Sequence, residues 1–271
     1  MRDSGSARNG LRSGFVPAAL VTGVSRLGGI AAAVARSLAG DGWTVAGNGF
    51  RSYDETEPWG AQPDAPKQLL AEGVLADWSE DDLGDAAAPE RVVEAAERAV
   101  GPLTALVIVQ TESRQGGVLE TTAAEFDRHM TVNARATLLL CAEFARRFRG
   151  EHGSGRVVAF TSGALHGEVA YGASKAALER VVIAAAAELG PRGITVNAVN
   201  PGATDTGWIS PELHEHIRES VPLGRVGRPE DAAALVAFLC SPRGGWITGQ
   251  ILVSDGGASI AATLRRGRKP L

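Results

Sequence analysis

Sulfur, tyrosine and lysine are scarce in this 271-residue chain, and each scarcity narrows what it can be. The two cysteines, Cys141 and Cys240, stand far apart in apolar, helical-looking runs. That spacing suits neither a disulfide framework nor a metal site and leaves core thiols. No excess of positive charge is present: the formal net charge is -4, which argues against a phosphate-neutralising, nucleic-acid-binding surface. No apolar run reaches the roughly 20 residues of a membrane helix. Residues 1–14 are rich in Arg, Ser and Gly and lack the apolar core of a secretory signal. They read as a disordered leader, and the basic stretch 263–271 (Arg265, Arg266, Arg268, Lys269) as a solvated tail. A reducing cytoplasm is the compartment these features predict.

What is present is an ordinary globular composition, 44% hydrophobic and 21% charged. Short runs rich in Val, Leu and Ile occur at Ala18–Thr22, Trp43–Gly47, Val74–Ala76, Ala105–Val109, Arg156–Phe160, Ile194–Val199 and Gln250–Val253. Between them lie Ala-rich amphipathic stretches at Ile30–Ala39, Pro89–Val100, Ala123–Arg149, Ala173–Leu189 and Glu230–Leu239. Strands apolar throughout, alternating with helices, predict an α/β fold of the Rossmann type. The expectation is a doubly wound parallel sheet of about seven strands with helices on both faces. No linker or repeat divides residues 15–262, which read as one domain.

Chemistry concentrates after the fifth apolar run. Tyr171 and Lys175 are four residues apart, so on a helix they share a face. Such pairs are often surface pairs, but the chain holds only two tyrosines and three lysines, which makes a chance coincidence rare. A cation within reach of a phenol favours the phenolate and lowers its pKa from about 10. The expected result is a phenol tuned to protonate a developing alkoxide, or to deprotonate an alcohol in reverse. Ser162 precedes the pair as a hydroxyl partner.

The first strand runs into Thr22-Gly-Val-Ser-Arg-Leu-Gly-Gly-Ile30. Glycines at a strand-to-helix turn let the backbone approach a pyrophosphate, whose charge the helix N-terminus favours. Gly23, Ser25, Arg26, Gly29 and Ile30 are therefore candidate cofactor contacts. After the second strand an NAD site would place Asp or Glu at the ribose 2′-hydroxyl. This chain offers Arg51 and Ser52 there, with Arg26 nearby; two cations predict NADPH over NADH, unless Arg51 is simply a solvated loop residue. Residues Tyr53 to Gly73 read as a loop that either covers the adenosine end of a cofactor or is an insertion. Asp77, after the third apolar run, is a candidate acceptor from the adenine amino group. Thr122 to Glu125 has capping-box form and opens the helix carrying Asn133. A polar Asn there is either a satisfied core amide or the holder of a water beside Lys175.

Taken together, these residues resemble the one-domain short-chain dehydrogenase/reductase family, especially its 3-oxoacyl-(acyl carrier protein) reductase-like members. The likeness runs from Ala18 to Ser259. Its markers are Ser162 with Tyr171-x-x-x-Lys175, Ile194-Thr-Val-Asn-Ala-Val-Asn-Pro-Gly202, Pro222-Leu-Gly-Arg-Val-Gly-Arg-Pro-Glu230, Ile247-Thr-Gly-Gln250 and Asp255-Gly-Gly257. The resemblance implies that Ser162 binds a substrate carbonyl and Tyr171 delivers the proton. It implies that Lys175 lowers the Tyr pKa and holds the nicotinamide ribose, while Asn133 keeps a relay water. Gln110 and Thr111 would lie beside the cofactor, and Pro201, Gly202, Thr204 and Thr206 would line the nicotinamide pocket. The stretch Gly207 to Val221 matches the family's variable substrate lid, where Trp208, Ile209 and Leu213 suggest a partly apolar ligand. The implied enzyme is an NADPH-dependent carbonyl reductase whose small-molecule substrate is free or carrier-bound. A homotetramer or dimer would form through the helices within Ala123–Arg149 and Ala173–Leu189.

Three departures qualify the likeness. A one-residue insertion in the glycine turn puts Ala31 where the family has its last glycine. The family's N-N-A-G is replaced by Ile108-Val109-Gln110-Thr111, and Ser162 lies closer to Tyr171 than is usual. The alternatives are a dinucleotide-binding sensor or scaffold without turnover, and an NADP-dependent alcohol dehydrogenase running in the oxidative direction.

Overall fold

The computed structural model describes residues 16–163 and 167–261. The expected leader and basic tail, and residues 164–166 of the short Ser162–Tyr171 connection, lie outside them. The first half alternates β1 (Ala18–Thr22), α1 (Ile30–Gly40), β2 (Thr44–Gly49), α2 (Arg51–Glu55), α3 (Ala65–Ala71), β3 (Asp77–Glu80) and α4 (Ala88–Val100). Then come β4 (Ala105–Ile108), α5 (Ala123–His129), α6 (Ala136–Arg147), β5 (Gly155–Phe160) and α7 (Val169–Leu189). The last elements are β6 (Ile194–Asn200), α8 (Pro211–Ser220), α9 (Pro229–Cys240) and β7 (Ile251–Val253).

The seven strands form one parallel sheet in the order β3-β2-β1-β4-β5-β6-β7. The order in which strands are added reverses between β1 and β4, the switch point where such sheets open a crevice at their C-terminal edge. Successive strand residues feed two separate cores, as a period of two requires. Leu20, Leu106, Val157 and Val196 pack with Val92, Leu140, Phe144 and Leu178 from α4, α6 and α7. Val21, Val107, Val158 and Val199 pack with Val34, Leu38, Val236 and Leu239 from α1 and α9. Both cysteines lie in these cores, where burial pushes each thiol up to about 12.

Four segments differ from the sequence expectation. The apolar run Val74–Ala76 is not the third strand. The Val74 and Leu75 amides both donate to the Leu69 carbonyl at the end of α3, and pairing begins only as the Ala76 amide reaches Val45. The 53–73 segment holds α2 and α3 rather than a continuous loop, with Pro66 in the first turn of α3, where proline is tolerated. The long helix 123–149 is interrupted by a π-helical stretch, Met130–Arg135, a form found where a side chain is re-aimed. The lid segment contains α8. No helix among the described residues is long and apolar enough to cross a membrane.

Candidate active site

A cleft of about 1070 Å³ opens along the C-terminal edge of the sheet. Its floor is the β1–α1 turn. Gly23 has φ +77°, and a Cβ there would sit 2.8 Å from the Gln110 amide nitrogen, so both the backbone conformation and the close approach require glycine. α1 starts at Ile30 with Gly29 as N-cap, no side-chain cap and no acidic residue in its first turn. Its leading N–H groups are left for an anion. Ala31 is buried at the cleft wall. The donor set and glycine cradle fit the pyrophosphate of a dinucleotide.

Of the residues proposed from sequence, Gly23, Ser25, Arg26, Gly29, Ile30, Gln110 and Thr111 line this cleft. So do Ser162, Tyr171, Pro201, Gly202, Thr204 and Thr206. Arg51 and Ser52 do not; they line a smaller adjoining cavity with Glu80. Asp77 is in neither. It opens β3 opposite Ala46, two positions below the Asn48–Thr22 pair at the sheet edge. Asp77 thus starts the strand that sequence placed three residues earlier, rather than following it.

Tyr171 and Lys175 sit one turn apart on α7, but their coupling differs from expectation. The Lys175 Nζ donates to the Phe160 carbonyl at the end of β5 at 2.9 Å and stands 5.7 Å from the Tyr171 ring centroid. It lies over the ring face. Complete burial draws the Lys175 pKa from 10.5 down to about 7. Tyr171 is shifted upward, chiefly by burial; hydrogen bonds with Ser162 and Thr111 oppose this, and the Glu168 charge adds to it. The phenol's acidity is thus set here chiefly by burial, with two hydroxyls opposing it, and the expected lowering by Lys175 is not seen.

Asn133 is fully buried on the π-helical stretch. Its Nδ2 donates to the Glu112 carbonyl at 2.8 Å and to Ser174 Oγ at 2.9 Å, while its Oδ1 accepts from the Glu112 amide at 2.8 Å. The amide is satisfied: the side chain pins the loop after β4 to α7, with both Nδ2 donors and Oδ1 engaged. The Thr111 hydroxyl beside Tyr171 is carried by that same loop.

Sequence reasoning offered 53–73 as a cover for the cofactor but did not foresee the contacts that hold it against the cleft. Arg26 lies 3.4 Å from Asp54, stacks 4.7 Å from the Trp59 ring centroid and donates to the Thr206 carbonyl at 2.9 Å. Trp59 Nε1 donates to Asp54 at 2.8 Å. Tyr53 Oη donates to the Ser113 carbonyl and accepts from its amide, both at 3.2 Å. Arg114 reaches Thr56 at 3.0 Å. Residues 53–59 are therefore tied to the loops after β1 and β4. Buried Glu112 pairs with Arg114 at 3.0 Å and Arg128 at 3.1 Å. Only the density of aromatic and charged residues in 51–59 hinted at this. On the opposite side, Trp208 lines the cleft and donates to the Thr204 carbonyl at 3.0 Å. Ile209 and Leu213 do not line it.

Comparison with known proteins agrees with this geometry. A family profile described as enoyl-(acyl carrier protein) reductase, of the short-chain alcohol dehydrogenase type, matches residues 23–259. An uncharacterized oxidoreductase, YjdA, of Bacillus subtilis (strain 168) is 38% identical over 244 residues, covering 88% of this chain and 95% of that protein. The structure of a short chain dehydrogenase from Burkholderia cenocepacia J2315 in complex with NADP is similar, with a TM-score of 0.78 and 35% identity. It covers 90% of this chain and 98% of that one. A blue fluorescent protein from a metagenomic library, solved with NADPH, has a TM-score of 0.78 and 31% identity, again over 90% and 98% of the two chains.

Proposed function

The chain belongs to the short-chain dehydrogenase/reductase family, and from that membership we propose that it reduces a carbonyl compound to an alcohol with NADPH. The observation that carries this reading is the Tyr171 hydroxyl, set in the dinucleotide cleft with Ser162 and Thr111 as hydrogen-bond partners and Lys175 one turn away. When bound, the cofactor supplies the hydride. The protein's task is placement and proton delivery.

Gly23, Gly29 and the first turn of α1 would hold the pyrophosphate, and Arg26 is bonded to the Thr206 carbonyl in the same cleft. The Ser162 hydroxyl orients the substrate oxygen. Tyr171 donates its proton to that oxygen as the carbonyl carbon is reduced, so C=O becomes CH–OH and the phenolate is reprotonated from solvent. An ammonium has three donors and Lys175 uses one on Phe160. Its remaining donors would serve the nicotinamide ribose. Trp208 gives the substrate side an apolar wall. Phe126, Leu138 and Ile183 expose apolar surface on α5, α6 and α7, which supports assembly as a tetramer or dimer of a cytoplasmic enzyme.

The test is NADPH consumption against a panel of ketones and β-keto thioesters, with the alcohol product identified. Turnover of at least one carbonyl class supports the reading; NADPH binding without turnover of any of them would favour a sensor.

A further inference from the structure

We propose that Glu80 is a specificity-determining residue that occupies the Arg51 guanidinium and so holds down the preference for a 2′-phosphorylated cofactor. The inference rests on the cleft being a dinucleotide site. Register places the carboxylate: Gly49 at the end of β2 pairs with Glu80 at the end of β3, and Arg51 follows two residues after Gly49. Arg51 Nε donates to Glu80 Oε2 at 3.0 Å, Nη2 donates to the same oxygen, and the Arg51 amide donates to Oε1 at 3.1 Å. Arg51 Nη1 turns to the Pro63 carbonyl at 3.4 Å, and the guanidinium lies 5.2 Å from the Trp78 ring centroid. The fork that would take a phosphate bidentately is thus committed to a carboxylate.

The surroundings sharpen the effect. The adjoining cavity of about 580 Å³ sets Arg51 among Glu55, Glu80, Asp81 and Asp82. Asp81 is matched by Arg91 at 3.0 Å and Asp82 by Arg128 at 2.9 Å; Glu80 is matched by Arg51 itself. A 2′-phosphate beside Arg51 must take the fork from Glu80 and then meet the released charge. A ribose 2′-hydroxyl carries no charge and needs no guanidinium, so it meets no such conflict. The ion pair is part-exposed and therefore weak, so a dianionic phosphate can displace it, but at a loss of selectivity.

Calorimetric titration of the full chain with adenosine 2′,5′-bisphosphate and with 5′-AMP, which differ by the 2′-phosphate alone, tests this without turnover. Glu80→Gln should raise the affinity ratio of bisphosphate to AMP by about tenfold and leave AMP within about twofold. Glu80→Ala should act in the same direction, which guards against a peculiarity of one variant. In an Arg51→Ala background the gain should vanish. An unchanged ratio in Glu80→Gln, with both nucleotides binding, would overturn the inference alone. A fall in the ratio would also overturn it, since Glu80 would then be holding Arg51 ready for the phosphate. Failure of the wild-type chain to bind either nucleotide or NADPH would overturn the dinucleotide reading and this inference together.

Discussion

Replacing Lys175 by methionine should make the protein more stable at neutral pH. Lys175 is 2% exposed, and its pKa falls from 10.5 to about 7 through burial. Between those values the unfolded chain carries a proton that the folded chain does not. Stability therefore rises with pH across that window, because the unfolded state binds more protons. At about 1.4 kcal/mol per unit, a drop of about 3.5 units corresponds to an upper bound of about 5 kcal/mol withheld at pH 7 and restored near pH 10.5. Methionine fills a similar volume without a charge. It gives up the bond to the Phe160 carbonyl, a loss of about 1–3 kcal/mol. The net expectation is a gain of at most about 2–4 kcal/mol at pH 7, or up to roughly 5–10 °C in Tm, with reductase activity lost. Thermal melts of both proteins without cofactor, from pH 6.5 to 10, would show a rising wild-type curve and a flatter one for the variant. A wild-type curve that falls or stays level from pH 7 to 10, or a variant less stable at pH 7, would refute the reasoning.

Asn133→Ala should lower stability by about 2–4 kcal/mol, because it strips partners from the buried amide and carbonyl of Glu112; chemical denaturation measures it, and a loss below about 0.5 kcal/mol would mean the loop does not depend on that side chain. Gly23→Ala should cost about 1–3 kcal/mol, given φ +77° and a Cβ 2.8 Å from the Gln110 nitrogen. NADPH affinity, followed by fluorescence, should fall with it, whereas unaltered affinity would remove Gly23 from the cradle.

Local signals in the sequence translated well. β1 was legible residue for residue because all five positions are buried and four of them are apolar. The capping box from Thr122 to Glu125 formed as its spacing predicts. The three-residue error at β3 came from reading hydrophobicity as strand. Val74 and Leu75 are apolar because they pack under the end of α3, while the strand itself carries Asp77, Ser79 and Glu80. In the site, Tyr171 and Lys175 were recognisable from spacing within one helix. Where the Lys175 ammonium points was not, since its partner is the backbone of β5, fifteen residues away. The same limit hid the pairing of Arg51 with Glu80, which exists only once β2 and β3 are in register. Arg26 likewise looked like a phosphate-reading cation until the fold brought Asp54, Trp59 and Thr206 around it.

The most direct measurement is carbonyl-dependent NADPH oxidation by Tyr171→Phe, with NADPH affinity determined on the same preparation. If the hydroxyl is the proton donor, binding stays within about twofold of wild type while turnover falls about 10²–10⁴-fold. A variant that binds NADPH and still reduces the substrate at near wild-type rate would contradict the account.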